Sequence, residues 1–262
     1  MKLSVITINY NNREGLADTI CSVESQTLKD FEWIVVDGGS TDGSRELIEA
    51  HKGSFTSWVS EPDSGIYNAM NKGIRMSGGE YLLFLNSGDQ FADNQVVDKV
   101  LPELKGEDFI VGNIYHSDKP GIPAFKEINA KPWHLAFMLT TSSLPHQSTF
   151  THRSVFERYG YYREDLRIVS DWAKLMEALV FGHGSLRYIP IVISIYDAGG
   201  ISSVNRKLYD AERRKVQDEW KYFSPYFVFY RNHYEMTSAI KQNGVASLFN
   251  RFVFFVKRHN PF

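Results

Sequence analysis

Apolar and polar positions follow two alternating periods over the first hundred residues of the chain. Short apolar runs rich in β-branched residues, typical of buried strands, are separated by stretches in which apolar residues recur every three or four positions, as in amphipathic helices. Strands joined by helices need parallel crossovers, so the alternation predicts an α/β sheet, mixed but mostly parallel, with helices on both faces. The predicted strands are Leu3–Ile8, Phe31–Val36, Phe55–Ser60 and Tyr81–Leu85, and the helices between them carry Leu16–Val23, Leu47–Ile48 and Ile66–Ile74.

The middle of the chain is less regular, and its end changes in character. Further strands are predicted at Phe109–Ile114 and Arg187–Ile195, with helices at Pro132–Leu139 and Ser170–Val180. After Gly199-Gly200, the pattern predicts two or three helices over residues 206–258, rich in basic and aromatic side chains. We therefore predict one α/β domain over residues 1–205 and a helical appendage over residues 206–262.

Polar residues follow each of the first four predicted strands. In open α/β sheets, ligands bind in the crevice at the carboxyl ends of the strands, so these residues predict a single ligand site. They are Asn9-Tyr10 after the first strand, Asp37 after the second, Asp63 after the third and Asn86-Ser87-Gly88-Asp89 after the fourth.

Composition and charge narrow the class of protein. A hydrophobic content of 43% over 262 residues is enough for a sizeable core, and the net charge of −2 argues against a dedicated nucleic-acid binder. Residues 206–262 hold eleven Lys/Arg against five Asp/Glu, which indicates that this segment has its own partner. The single cysteine, Cys21, and the lack of a membrane-length apolar run predict a cytoplasmic protein.

The turn Asn86–Asp89 is the strongest candidate for a metal site. An apolar strand that ends in an acidic turn suits Mg²⁺ or Mn²⁺, because these hard cations need only one or two protein oxygens when a diphosphate supplies the others. A surface β-turn, with Gly88 in a positive-φ conformation, is the alternative.

Three further acidic residues have both a binding and a structural interpretation, and one lysine is a candidate for binding. Asp37 at a strand end can accept hydrogen bonds from a nucleobase or ribose, or can stabilise a turn. Asp63 lies beside the predicted nucleotide or caps the next helix, and Lys72, two turns into that helix, is a candidate for the phosphates. Asp171 opens a helix, where it either favours the helix dipole or acts as a general base.

Histidine and cysteine offer little sign of metal chemistry. His146 has the features of a packed, hydrogen-bonded residue, and the spacing of the other histidines argues against a zinc site. Cys21 lies between Ile20 and Val23 on a predicted helix, and we expect it to be a buried structural thiol.

Taken together, the motifs resemble family 2 glycosyltransferases with the GT-A fold, over about residues 1–200. The resemblance rests on the order of four motifs and on two downstream ones, which are similar to a bacterial exopolysaccharide or colanic-acid-type subgroup. The four are Ser4–Asn11, Val36–Asp42, Asp63-Ser64-Gly65 and Phe84–Asp89; the two are Pro145-His146-Gln147 and Ser170-Asp171-Trp172.

The resemblance implies a role for each candidate. Asn9 and Tyr10 would line a nucleoside pocket, Asp37 would bind the base with Asp63 nearby, and Asp89 would coordinate the metal. Asp171 matches the catalytic base of inverting members, while Asn86, His146 and Trp172 would line the site or contact the acceptor. Many members have Asp-x-Asp-Asp where this chain has Asn86-Ser87-Gly88-Asp89, so we expect weaker or more donor-dependent metal binding.

The implied function is sugar transfer from a nucleotide-sugar donor, with UDP as the expected nucleotide, to a saccharide or lipid-linked acceptor in bacterial surface polysaccharide synthesis. Two alternatives stay open: a non-catalytic nucleotide-binding scaffold, suggested by the missing carboxylates, and a sugar-phosphate nucleotidyltransferase, which the glycine-poor stretch Asn9–Gly15 disfavours. The basic, aromatic segment Phe249–Arg258 either contacts the inner face of a membrane or packs on the domain or on a second subunit.

Overall fold

The strands and helices alternate through the first hundred residues much as the sequence pattern predicts. The computed structural model describes residues 1–117, 124–126, 128, 139, 142–197 and 205–220. Its strands are β1 Leu3–Asn9, β2 Glu32–Asp37, β3 Ser57–Ser60, β4 Tyr81–Phe84, β5 Gln90–Phe91, β6 Phe109–Ser117, β7 Ala124–Lys126, β8 Thr149–His152 and β9 Leu186–Asp197.

The helices connect these strands and cover the sheet. Short 3₁₀ turns at Leu101–Glu103 and His146–Ser148 add to them, and a π-helical turn, Met176–Phe181, continues the sixth helix. The α-helices are α1 Arg13–Glu24, α2 Ser44–Ala50, α3 Ile66–Met76, α4 Val96–Val100, α5 Arg153–Tyr159, α6 Ser170–Leu175 and α7 Arg206–Glu219.

The described strands form one mixed sheet in the order β3-β2-β1-β4-β8-β6-β9-β5, with β7 paired to β6. The four N-terminal strands β3, β2, β1 and β4 are parallel, so their carboxyl ends lie along one edge. The strand β8 then enters antiparallel between β4 and β6, β6 and β9 are parallel, and the β5–β9 and β6–β7 pairs are antiparallel. The predicted mixed α/β class is confirmed, with the parallel pairings concentrated in the N-terminal half.

Alternate side chains of the strands pack on opposite faces of the sheet. Val5 and Val35 face α1, α2 and α4, whereas Ile6 and Ile34 face α3. The helix α3 lies unusually close to β1, because a Cβ atom on Gly73 would fall 2.4 Å from Ile6 Cγ2. This close packing sets the position of α3 relative to the carboxyl ends of the parallel strands.

A third buried cluster joins β6 to α6 and α7. Trp172 on α6 and Val216 on α7 are 1% and 0% exposed and belong to the same cluster. The helix α7 is the first part of the predicted C-terminal appendage, and it packs directly against the rest of the molecule. The boundary at residue 205 remains a prediction, and the helices predicted beyond residue 220 lie outside the described residues.

Several local predictions differ from the structure. The side chain of Cys21 is exposed, not buried, because it lies about 100° around α1 from the buried Ile20. The third strand is shorter than predicted, and the predicted helix Pro132–Leu139 falls, apart from Leu139, outside the described residues. No helix among the described residues is long and apolar enough to cross a membrane.

Candidate active site

The turn Asn86–Asp89 is held at the carboxyl end of β4 by the neighbouring elements. Ser87 N donates to Ile8 O of β1 (3.1 Å), and Gly88 N donates to Gly15 O of α1 (3.0 Å). Gly88 has a φ of 102°, the left-handed region that favours glycine. Thr19 Oγ1 lies 2.8 Å from Asp89 O, so that α1 also holds the last residue of the turn. The turn is therefore a structured part of the sheet edge.

Two side chains of this turn present oxygen atoms next to His146. Asp89 is 4% exposed, and Gln147 Nε2 lies 3.5 Å from its Oδ1. Asn86 Nδ2 lies 3.0 Å from His146 Nε2, while the buried Asn86 Oδ1 has no hydrogen-bond partner among the described residues. The turn thus offers one carboxylate and one unused amide oxygen.

Asp171 lies at the start of α6, and its carboxylate is held from two sides. Tyr67 on α3 donates its hydroxyl to Asp171 Oδ1 at 2.8 Å, and His146 Nδ1 lies 3.8 Å from Asp171 Oδ2. Burial and the charge of Asp171 raise the pKa of Tyr67 well above its usual value, so the phenol remains a donor. The Asp171 side chain keeps 20% exposure, so it is only partly buried.

His146 connects the turn to Asp171. Burial would lower the pKa of this imidazole, but its hydrogen bond to Asp171 and the charges of Asp89 and Asp171 outweigh burial and raise the pKa. The ring therefore lies between two carboxylates and is more basic than a free imidazole. The prediction that His146 is a packed, hydrogen-bonded residue agrees with its two polar neighbours.

A single cavity of about 450 Å³ brings these groups together. Its wall contains five of the residues singled out from the sequence, all from elements distant in the chain. They are Asn86, Asp89, His146, Asp171 and Trp172. Such a volume suits a small-molecule ligand, and its two carboxylates, Asp89 and Asp171, come from the turn after β4 and from α6.

A second polar cluster lies at the ends of β1, β2 and β3. Asp37 is completely buried and accepts four hydrogen bonds, from Asn9 Nδ2 (2.8 Å), Ser40 Oγ (2.5 Å), Ser40 N (3.0 Å) and Ser60 Oγ (2.7 Å). Burial would raise the pKa of Asp37, but the hydrogen bonds from Ser40, Ser60 and Asn9 outweigh it, and the pKa is lowered. Asp37 therefore holds the three strand ends together as a carboxylate.

The remaining candidates surround this cluster. The Tyr10 ring is 66% exposed, and Asp63 Oδ1 accepts from Gly65 N at 2.9 Å, one residue before α3. The Lys72 ammonium lies 2.8 Å from Glu61 Oε1 and 3.0 Å from Pro62 O, so it is already paired. None of Asn9, Tyr10, Asp37, Asp63 and Lys72 lines the 450 Å³ cavity.

Asn12 connects the start of α1 to the Asn86–Asp89 turn. It caps α1 by accepting from Gly15 N (3.2 Å), it donates to Ser87 O (3.1 Å), and it lines the cavity. Because β3, β2, β1 and β4 are parallel neighbours, the candidate nucleoside cluster and the Asp89 turn lie on the same edge of the sheet.

Sequence reasoning missed Tyr67 and Arg213. Tyr67 lies on the apolar face of α3, and nothing in the sequence marks its contact with Asp171, 104 residues away. The guanidinium of Arg213, on α7, lies 4.1 Å from the Trp172 ring centroid and donates to Leu139 O at 2.8 Å. Arg213 is 5% exposed and supports the part of the cavity wall formed by Trp172. The basic composition of α7 did not predict that one of its arginines would be buried.

Comparison with known proteins identifies the family. Residues 4–163 match the family described as Glycosyl transferase family 2. An uncharacterized glycosyltransferase of Mycobacterium tuberculosis (strain CDC 1551 / Oshkosh) is 32% identical over 205 residues, which cover 77% of this chain and 77% of the relative. Because the family match covers more than half of the chain, the chain belongs to glycosyl transferase family 2, and it is a transferase by descent.

Solved structures share the fold. S. aureus TarS 1–349 in complex with UDP-GlcNAc matches 95% of this chain and 79% of its own, with a TM-score of 0.66 and 16% identity. In the complex of TarS 1–349 with UDP, the chain spans only 60% of the solved chain. The mannosyltransferase PcManGT from Pyrobaculum calidifontis, in complex with GDP-Man and Mn²⁺, has a TM-score of 0.58 at 15% identity. That match covers 99% of this chain and 81% of the PcManGT chain. The predicted GT-A fold is confirmed.

Proposed function

We propose that this chain transfers a hexose from a nucleotide-sugar donor to a saccharide acceptor, with inversion at the anomeric carbon. The observation that carries the proposal is the placement of Asp171 and the Asn86–Asp89 turn on the wall of one cavity. An inverting transfer needs a base on the acceptor side and charge stabilisation on the leaving-nucleotide side. The cavity supplies candidates for both.

Asp171 is the proposed general base. Tyr67 occupies its Oδ1, so Oδ2 is the oxygen that takes the proton from the acceptor hydroxyl as that hydroxyl attacks the anomeric carbon. The bond to the leaving diphosphate breaks in the same step, and no covalent intermediate with the protein is required. Trp172, Asn86 and His146 line the space between, where they would orient the donor sugar and the acceptor.

The turn fits a divalent cation. Asp89 supplies a carboxylate, and the unpartnered Asn86 Oδ1 supplies a neutral oxygen. Among the described residues no three His, Cys, Asp or Glu side chains cluster as a metal site, so the donor diphosphate must complete the ligand set. When bound, Mg²⁺ or Mn²⁺ offsets the charge that develops on the departing nucleotide. The Mn²⁺ in the PcManGT complex supports this choice of metal.

The ends of β1, β2 and β3 are the proposed nucleoside site, with UDP as the expected nucleotide. Asn9, Tyr10, Asp37 and Asp63 cluster there, and the UDP-GlcNAc held by TarS supports the class of donor. Lys72 is a proposed phosphate contact, and its ammonium has to leave Glu61 to reach one.

The acceptor is proposed to be lipid-linked, in bacterial surface polysaccharide synthesis on the cytoplasmic side of the membrane. The segment after residue 205, with eleven Lys/Arg against five Asp/Glu, supports contact with an anionic surface. Co-sedimentation of the whole chain with anionic vesicles tests this part. Replacing Arg251, Lys257 and Arg258 by alanine should reduce binding, and unchanged binding would remove the membrane contact.

Release of nucleotide across a panel of UDP, GDP and dTDP sugars tests the proposed activity. We expect one donor class to be turned over and to depend on Mn²⁺ or Mg²⁺. Asp89→Asn should weaken metal-dependent donor binding by about tenfold, from the loss of one charged ligand. Asp93→Asn is the matched control, because Asp93 is an exposed carboxylate four residues after Asp89. This substitution should leave donor binding unchanged. A protein that binds nucleotide but turns over no donor would instead favour the nucleotide-binding scaffold, and one that binds no nucleotide with either metal would contradict the proposed activity.

A further inference from the structure

Asp37 has no capacity left for a ligand. Each of its two carboxylate oxygens already accepts two hydrogen bonds, and the residue has no exposed surface. The donors are Asn9, Ser40 and Ser60, which come from the ends or turns of three adjacent strands. A nucleobase could reach Asp37 only by breaking this network, so direct recognition by Asp37 is costly.

The space above the end of β2 is filled by another carboxylate. A Cβ atom on Gly38 would lie 2.4 Å from Asp63 Oδ2 and 3.2 Å from Tyr10 Cδ2. The backbone of Gly38 is not in the positive-φ region, so its conformation does not require glycine. The lack of a side chain at Gly38 instead makes room for Asp63 to stand next to Tyr10.

The Asp63 carboxylate is held by one oxygen and open at the other. Its Oδ1 accepts from Gly65 N at 2.9 Å, and within the described residues Oδ2 has no hydrogen-bond or ion-pair partner. The neighbouring Tyr10 ring is 66% exposed and offers an aromatic face for a planar base. An anchored acceptor beside an exposed ring is the arrangement that a stacked base with an N–H edge would use.

We propose that Asp63, rather than Asp37, recognises the nucleobase and selects bases that carry a ring N–H. This inference rests on the proposed nucleotide-sugar donor. A carboxylate can only accept hydrogen bonds. Uracil and thymine present N3–H and guanine presents N1–H. Cytosine N3 and adenine N1 present lone pairs that the carboxylate repels, so these bases offer it only the adjacent amino group. We therefore expect a uridine, thymidine or guanosine diphosphate sugar to be preferred over a cytidine or adenosine one.

Calorimetry with UDP and CDP at the same excess of Mn²⁺ tests this selection, since the two nucleotides differ only along the edge that Asp63 would face. The intact chain should bind UDP about ten- to a hundredfold more tightly than CDP, as expected for one charge-assisted hydrogen bond. Asp63→Asn should weaken UDP binding by a similar factor. It should also bring the affinities for UDP and CDP to within about threefold of each other, because an amide can donate to cytosine N3. The exposed Asp30→Asn, at the opposite end of β2, should retain the preference.

A second variant tests the same space without changing Asp63. Gly38→Ala places a methyl group against Asp63 Oδ2. It should weaken UDP binding more than CDP binding and leave the midpoint of thermal unfolding unchanged. Equal affinity of the intact chain for UDP and CDP would overturn the inference. An unchanged preference for UDP over CDP in both variants would also overturn the inference. In either case, binding of UDP by the intact chain would leave the proposed function standing. Failure to bind UDP, CDP, GDP and ADP alike would remove the proposed function as well.

Discussion

Replacing Asp37 by asparagine should destabilise the fold through a defined fault in its hydrogen bonding. Asparagine keeps the shape of the side chain but replaces one acceptor oxygen with an NH₂ group. The hydroxyls of Ser40 and Ser60 can turn and accept from that group. The Ser40 backbone N–H, on the Oδ2 side, cannot accept. The Asn9 amide, on the Oδ1 side, can accept only by turning over, which takes its Nδ2 away from Ser40 Oγ. The new amide therefore either opposes the Ser40 N–H or costs Asn9 a hydrogen bond, in a fully buried site.

The expected cost follows from these contacts. One buried donor without an acceptor costs about 1–3 kcal/mol, and the remaining bonds lose the contribution of the charge, which gives a total of about 2–4 kcal/mol. For a chain of this size, that corresponds to a fall in thermal midpoint of roughly 4–12 °C. Thermal unfolding followed by circular dichroism measures the shift.

Asp42→Asn is the matched control. Asp42 also accepts hydrogen bonds, from Arg13 N at 2.8 Å and from Ser44 N at 3.1 Å, but it is exposed, so water can replace a lost partner. Its thermal midpoint should change by less than about 2 °C, since exposed substitutions usually cost under 0.5 kcal/mol. An Asp37→Asn protein as stable as the control would refute the account of Asp37 as a buried structural carboxylate. A stable Asp37→Asn protein that no longer bound UDP would assign the base to Asp37 after all.

Three further predictions concern the same residues. Tyr67→Phe removes the hydroxyl that holds Asp171 Oδ1, and kcat should fall about tenfold with donor affinity unchanged; equal loss of both would show a wider disturbance. Gly73→Ala should cost about 1–3 kcal/mol in urea unfolding because its Cβ meets Ile6, whereas Gly53→Ala, with no atom within 4 Å, should be nearly neutral. The pKa of Asp37 is lowered from an ordinary value of 3.8, so its stabilisation is present above about pH 4 and is lost as pH falls through the lowered pKa. The difference in thermal midpoint between the intact chain and Asp37→Asn should therefore shrink on acidification, and a constant difference would contradict the assignment.

The sequence was sufficient for the parallel half of the fold. Period and strand-end chemistry predicted β1, β2, β4 and the edge at which Asp37 and Asp89 lie, because these depend on local pattern. The strand β8 was not predicted, since its four residues, Thr149–His152, form a strand only through antiparallel pairing with β4 and β6. The exposure of Cys21 was also missed, although the helical phase relative to Leu16, Ile20 and Val23 contains that information.

The contacts within the site were harder to predict than its members. Asn86, His146, Asp171 and Trp172 were all named from the sequence, yet nothing local shows that His146 lies between Asp89 and Asp171. The Tyr67–Asp171 hydrogen bond joins residues 104 positions apart in the chain, which only the tertiary fold brings together. The approach of Asp63 to Gly38 likewise depends on the spacing of two strand ends.

Asp171 is proposed as the base of an inverting sugar transfer, and a paired measurement of binding and transfer on Asp171→Asn tests that role. Donor affinity is measured by calorimetry and transfer by nucleotide release under single-turnover conditions, with the exposed Asp18→Asn as control. We expect unchanged donor affinity and a transfer rate lowered by about 10²–10⁴-fold, because a general base is lost. Full transfer activity with intact donor binding in Asp171→Asn would contradict the claim.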